Sequence, residues 1–409
     1  MNLQNVNFIQ SVILVFCFGY VQNKRKTKEI DTITDPNSDI NLNSLQLISK
    51  YGNVPQRHTV ITEDGYIVNV LRIPNKGPPV LFVHGIGDSS DSWLVTGPSS
   101  SLAYQLSSLG FDIWLYNSRG NKYSKGHVKN LPDKQYWDFG YEEMGYQDLP
   151  AVIDYITSIT NKSKIYYIGY SQGTTLFLIM CSLRPEYNDR IRQAVLLAPV
   201  AWLSNTKHPY LGWFANNHKL IKSVLDSLGF YNIFENNFLQ KIIHSKICRN
   251  DVPEKVFCEL EYALSYGLRN LTNLNTDRLQ VISTHIPAGV STKTFIHFFQ
   301  IYLSKRFQRY DLGAKRNNLV YSSAQPPEFP ISSITAPVNL FVSDSDWFST
   351  VEDVKTLREL MPNIVSYVEF NKSLDFTHLE FVYGERAKSL VNDPAINIIL
   401  RDLYSNSIK

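Results

Sequence analysis

The stretch "IGYSQGTT", Ile168 to Thr175, decides how this 409-residue chain is read. It has the form G-x-S-x-G, with Gly169, Ser171 and Gly173 at the defined places. Five loose positions alone could mark an ordinary glycine turn. The flanks add more. "KIYYI" before it reads as a buried strand, and "TTLFLIMCSL" after it reads as a helix. A serine on such a sharp strand-turn-helix adopts a strained backbone, and the small residues two before and two after it let the backbones close up. Ser171 is therefore a candidate nucleophile, with Gly169 and Gly173 as the elbow glycines.

A serine hydroxyl needs a base within hydrogen-bond reach, and the base needs an acid to orient it. On this kind of elbow the partners follow in the order Ser, Asp/Glu, His. Of nine histidines only His378, in "DFTHLEF", follows the late strand-like runs, so order selects it. The acid should follow the strand "VNLFV", where Asp344, Asp346 and Asp353 lie. Asp353 falls inside the next helix and reads as a solvated or capping charge. Position does not separate Asp344 from Asp346. The developing oxyanion needs preorganised N–H donors. One is expected from Gln172, the residue after the nucleophile. The other is expected from Ile86 in "LFVHGIG", with His84 in a structural role.

Around this centre, apolar runs suited to parallel strands buried on both faces alternate with helical segments. Runs end at Gly85, Gly120, Gly173, Ala201, Asp346 and Phe370. Helices are expected in "DLPAVIDYITSI", with Asp148 as N-cap, after Ser171, and from Val351 to Asn363. Strand-helix alternation implies a doubly wound sheet. With the elbow, the expected fold is an α/β-hydrolase: a mostly parallel central sheet flanked by helices. The alternation stops over an aromatic, irregular, helix-leaning stretch. The expected organisation is core residues 45–202, an inserted, mainly helical cap or lid over 203–330, and core again over 331–409.

A net charge of +3, with no basic stripe, argues against nucleic acid as a partner. No H-E-x-x-H, P-loop or EF-hand spacing occurs, so no metal or cofactor is expected. The apolar run Phe8 to Val21 fits the core of a signal peptide over residues 1–21, with Cys17 and Gly19 as small residues before a cleavage point. No Lys or Arg precedes it and "KRK" follows at Lys24 to Lys26, which leaves an uncleaved anchor as the alternative. Cys248 and Cys258 lie ten residues apart and could close a small disulfide loop in an oxidising compartment. Cys181 reads as a buried thiol. Sequons stand at Asn161, Asn270 and Asn371.

Several ordered stretches carry a resemblance. They include "TEDGYIVNVLRIP", "HGIGDSSDSWL", "DIWLYNSRGNKYSKGH", "YWDFGYEEMGYQDLPA", "GYSQGTT", "IPAGVSTKTFIHFFQ", "FQRYDLG", "DWFSTVEDVKTL" and "FTHLEFVYG". From about residue 45 to the C-terminus the chain resembles the acid lipases, the gastric, lysosomal and insect digestive enzymes. The resemblance implies Ser171 as nucleophile, Asp346 as acid, His378 as base, and Ile86 and Gln172 as the oxyanion hole. It also implies a Cys248–Cys258 disulfide. Two departures stand out: Tyr170 replaces the usual His before the nucleophile, and Glu380 replaces the Asp of "HLD". The expected function is a secreted or lysosomal lipase acting on neutral lipid at a lipid-water interface. The alternatives are a carboxylesterase on small soluble esters, a non-catalytic lipid-binding protein, and an acyl transferase.

Overall fold

The structure is a computed structural model that describes residues 38–235, 238–248, 252–267 and 273–407. The expected signal segment and Asn270 lie outside these residues. In chain order the strands are β1 (Gln56–Ile61), β2 (Tyr66–Ile73), β3 (Pro79–Val83), β4 (Asp112–Tyr116), β5 (Gly126–His127), β6 (Ile165–Tyr170), β7 (Ile191–Leu197), β8 (Asn232–Ile233), β9 (Val290–Ser291), β10 (Val338–Ser343) and β11 (Ile364–Phe370). All but β8 and β9 form one sheet in the order β1-β2-β4-β3-β6-β7-β10-β11, with β5 on β2. Pairs from β4 to β11 are parallel, and those made by β2 are antiparallel.

The apolar runs become central strands because both faces are covered. Every residue of β3, β4, β6 and β10 is buried. Side chains alternate between two cores, as the period of two demands. Leu81, Val83, Trp114, Tyr116 and Tyr167 enter one. Val80, Phe82, Ile113, Leu115, Tyr166 and Ile168 enter the other. Edge strand β1, with its polar "QRHT", is mostly exposed.

Helices Leu149–Thr160 and Gln172–Leu183 flank the sheet on either side of β6 in sequence. Asp148 is not the N-cap expected of the first. Its backbone is already helical, continuous with a wide turn over Met144–Asp148, and no side-chain cap bond forms. Its carboxylate instead accepts from Arg119 Nε at 2.8 Å and Tyr116 Oη at 2.8 Å. Asp353 is likewise not a solvated charge. It is buried and accepts from Asn205 Nδ2 at 2.7 Å and Asn205 N at 3.2 Å.

Between β7 and β10 the chain forms mainly helices: Leu211–Asn216, His218–Ser227, Phe238–Ile247, Lys255–Tyr266, Leu279–His285, Thr292–Ser304 and Ala314–Tyr321. A disulfide joins Cys248 and Cys258, so helices Phe238–Ile247 and Lys255–Tyr266 are stapled together. Cys181 is a buried free thiol, and burial pushes its pKa far up. Among the described residues no helix is long and apolar enough to cross a membrane.

Candidate active site

The turn after β6 has the geometry that its sequence predicts. Ser171 has φ +50° and ψ −116°, a region in which a side chain is rarely found. Its N–H donates to Leu197 O at 3.0 Å, and its carbonyl accepts from Thr174 N at 2.9 Å, so both neighbours hold the strain. The glycines are required by contact. A Cβ on Gly173 would lie 2.3 Å from Val83 O, and one on Gly169 would lie 2.8 Å from the Tyr167 ring and 3.0 Å from Gly173. This close approach brings the N-terminus of helix Gln172–Leu183, with Gln172, against the end of β3, where His84, Gly85 and Ile86 follow.

The structure brings three distant residues together beyond the C-terminal ends of β6, β10 and β11. His378 Nε2 lies 2.9 Å from Ser171 Oγ, and His378 Nδ1 lies 2.7 Å from Asp346 Oδ2. The second Asp346 oxygen accepts from Phe348 N at 2.8 Å and Ser349 N at 3.0 Å. All three side chains are buried, Asp346 completely. Asp344, which sequence position left level with Asp346, is half-exposed and pairs with Lys207 Nζ at 3.0 Å. With Asp344 on Lys207 and Asp353 on Asn205, Asp346 is the one of the three on His378.

His84 orders its own loop. Its Nε2 accepts from Ser118 N at 3.2 Å, so Nδ1–H donates to Gly85 O at 2.8 Å. Burial lowers its pKa to about 4, opposed by the Gly85 bond, so the neutral ring is favoured. A Cβ on Gly85 would sit 3.0 Å from the Tyr170 ring and 3.5 Å from Ser171 Cβ. The loop therefore lies on the serine.

Sequence reasoning passed over several supporting residues. Tyr170, noted only as a departure, donates its hydroxyl to the His378 carbonyl at 3.1 Å, and the two rings lie 5.3 Å apart. Glu380 accepts from Thr377 N at 2.6 Å and pairs with Arg386 Nη2 at 2.7 Å, so it braces the turn that carries His378. Tyr383 donates to the buried carboxyl of Asp88 on the His84 loop. The only signal for these partners was their adjacency to named motifs. Among the described residues no cluster of His, Cys, Asp and Glu could hold a metal ion.

This sheet order, with an elbow serine at the end of β6, defines the α/β-hydrolase class. The sequence matches the alpha/beta hydrolase fold family over residues 78–382 and the partial alpha/beta-hydrolase lipase region over residues 45–97. Lipase 3 of Drosophila melanogaster is 36% identical over 359 residues, covering 83% of this chain and 88% of that protein. Gastric triacylglycerol lipase of Homo sapiens is 32% identical over 376 residues, covering 89% and 92%. A solved structure of a putative lipase from Sulfolobus solfataricus is similar in fold, with a TM-score of 0.58 at 15% identity over 85% of this chain and 94% of that one. The chain belongs to the acid lipase family, and it is an ester hydrolase.

Proposed function

We propose that the protein is a secreted or lysosomal lipase that hydrolyses neutral lipids, triacylglycerols or steryl esters, through Ser171, Asp346 and His378. The observation that carries this reading is the continuous chain of short contacts from Ser171 Oγ through His378 to Asp346. His378 Nε2 takes the serine proton as Oγ attacks the ester carbonyl. Asp346 keeps Nδ1 protonated and steadies the imidazolium. Backbone N–H groups of Ile86 and Gln172 receive the oxyanion. His378 then protonates the departing alcohol, leaving an acyl-serine. Water, activated by the same histidine, releases the fatty acid.

Residues 203–330 act as the cap over the acyl cleft. Helix Lys255–Tyr266 turns Cys258 and Tyr262 inward and leaves Val256, Phe257, Leu260 and Leu264 exposed. At its C-terminal end Gly267 lies flat against Trp347, next to Asp346: a Cβ there would be 2.4 Å from the indole. An apolar outer face on an element seated beside the triad suits a lipid-water interface. The disulfide suits an oxidising compartment, and Asn161 and Asn371 are exposed for glycosylation. A non-catalytic lipid binder is disfavoured because no member of the three is missing or displaced.

The test is hydrolysis of short-chain and long-chain esters, with and without an emulsified interface, by the wild type and Ser171→Ala. Long-chain activity that disappears in the variant is expected. Activity confined to soluble short-chain esters would move the reading to a carboxylesterase. Undiminished activity of the variant would refute it.

A further inference from the structure

The loop from His84 to Asp91 has to present the Ile86 N–H at a fixed point, and it is tied down from several sides. Gly87 O accepts from Ala288 N at 2.7 Å. Asp88 accepts from Ser89 N at 2.7 Å and, on its other oxygen, from Tyr383 Oη. Tyr383 ends the short helix Glu380–Tyr383, which follows directly on His378 and Leu379. Asp88 and Tyr383 are both buried. The other ionisable groups facing Asp88 are Tyr170 from β6, Tyr262 and Tyr266 from the helix Lys255–Tyr266, Asp91 from its own loop, and Lys122. Lys122, the cation among them, is committed to Asp91 at 2.5 Å. A fully buried carboxyl without a cation of its own is an expensive choice for packing alone.

We propose that Asp88, joined to Tyr383, is a positioning residue for ester hydrolysis that locks the loop carrying the Ile86 N–H to the segment carrying His378. This rests on the serine-hydrolase reading. The pair makes one unit of the oxyanion donor and the base, which belong to opposite ends of the chain. An oxyanion donor is effective only within a narrow range of position, so slack in the loop lowers the rate of the chemical step rather than binding. The charge state of Asp88 matters for the same reason. Burial raises its pKa to about 7, opposed by the bonds from Tyr383 and Ser89. Neutral Asp88 adds no negative charge to the loop that carries the Ile86 N–H, whereas ionised Asp88 places one two residues from that donor and weakens its hold on an oxyanion.

The test compares the full-length wild type with Asp88→Ala, Asp88→Asn, Tyr383→Phe and Asp88→Ala/Tyr383→Phe on a soluble p-nitrophenyl ester, across about pH 5 to 9. Ser171→Ala is the control. Asp88→Ala and Tyr383→Phe should lower kcat by about 10- to 100-fold with KM within about twofold. The double variant should be no worse than the singles, because one contact is lost in each. Asp88→Asn keeps an acceptor for the Tyr383 hydroxyl. It should lose least, and its kcat should stay level above about pH 7, where the kcat of the wild type is expected to decline. Thermal melts confirm that each variant is folded; where Asp88→Ala is not, Tyr383→Phe, which removes only the hydroxyl, carries the kcat comparison, and wild-type kcat in Tyr383→Phe then overturns the proposal. Wild-type kcat in Asp88→Ala, additive losses in the double variant, or a wild-type pH profile in Asp88→Asn would overturn the proposal alone. A wild type as inactive as Ser171→Ala would remove the serine reading and this proposal with it.

Discussion

Ser171 sits at φ +50°, and the neighbours that hold it there leave no room for change. Gly173→Ala is the sharpest probe. In an open helix this substitution would gain up to about 1 kcal/mol of helix propensity. Here the new Cβ would meet Val83 O at 2.3 Å, a backbone atom that cannot swing aside. A net loss of about 1–3 kcal/mol is expected, read as a lower denaturant midpoint, together with lost esterase activity. Asp346→Asn tests a different point. The buried carboxylate takes two backbone N–H bonds on one oxygen and His378 on the other. An amide in its place keeps the shape but turns the histidine to the wrong tautomer. A fall in kcat of about 10⁴-fold is expected, with KM little changed.

At the scale of elements, local pattern and distant partner contributed differently. Runs such as "PPVLFVHG" and "KIYYI" were legible as central strands because burial on both faces leaves only apolar side chains. The elbow and its helix were legible for a similar reason: the motif and its supports lie within one stretch of chain. Asp148 was misread as a helix cap because its partner, Arg119, is remote in sequence. Asp353 does stand in the first turn of its helix, where an acidic residue suits the helix N-terminus, but the solvated alternative fails because its partner Asn205 is remote in sequence. The Asp88–Tyr383 pair, 295 residues apart, was not legible at all. Long-range polar partners leave no periodic trace. The cap has its own staple to test. The Cys248–Cys258 bridge closes a loop with a sequence separation of 10. Its removal by Cys248→Ser/Cys258→Ser should cost about 2–3 kcal/mol of local stability. Amide exchange in helices Phe238–Ile247 and Lys255–Tyr266 should then quicken by about 30-fold or more, while β3 and β6 exchange as before.

The whole molecule carries buried groups whose titration opposes one another. His84 and His297 are held neutral by burial, with pKa values lowered to about 4 and about 3. Unfolded, each would bind a proton near pH 6.5, so their contribution to stability declines as pH falls below about 6.5. Asp88 has the opposite sign. Its folded pKa of about 7 exceeds the unfolded value. Its contribution is therefore full below about pH 4 and is lost as pH rises toward 7. Between these limits Asp88 and the two histidines act in opposite directions. Asp88→Asn should make stability fall more steeply on acidification from about pH 6.5 to 4, and His297→Gln should make it fall less steeply. Denaturant midpoints measured across that range read both slopes.

Ester hydrolysis by this protein depends most on Ser171 being the activated nucleophile. The direct measurement is reaction of the folded protein with a fluorophosphonate, followed by peptide mass spectrometry, in the wild type, Ser171→Ala and His378→Ala. One adduct per chain, on Ser171, formed together with loss of esterase activity, is expected. It should be absent from Ser171→Ala and slowed by about 10³-fold or more in His378→Ala. An adduct at another residue, or full esterase activity in Ser171→Ala, would show that Ser171 is not the nucleophile.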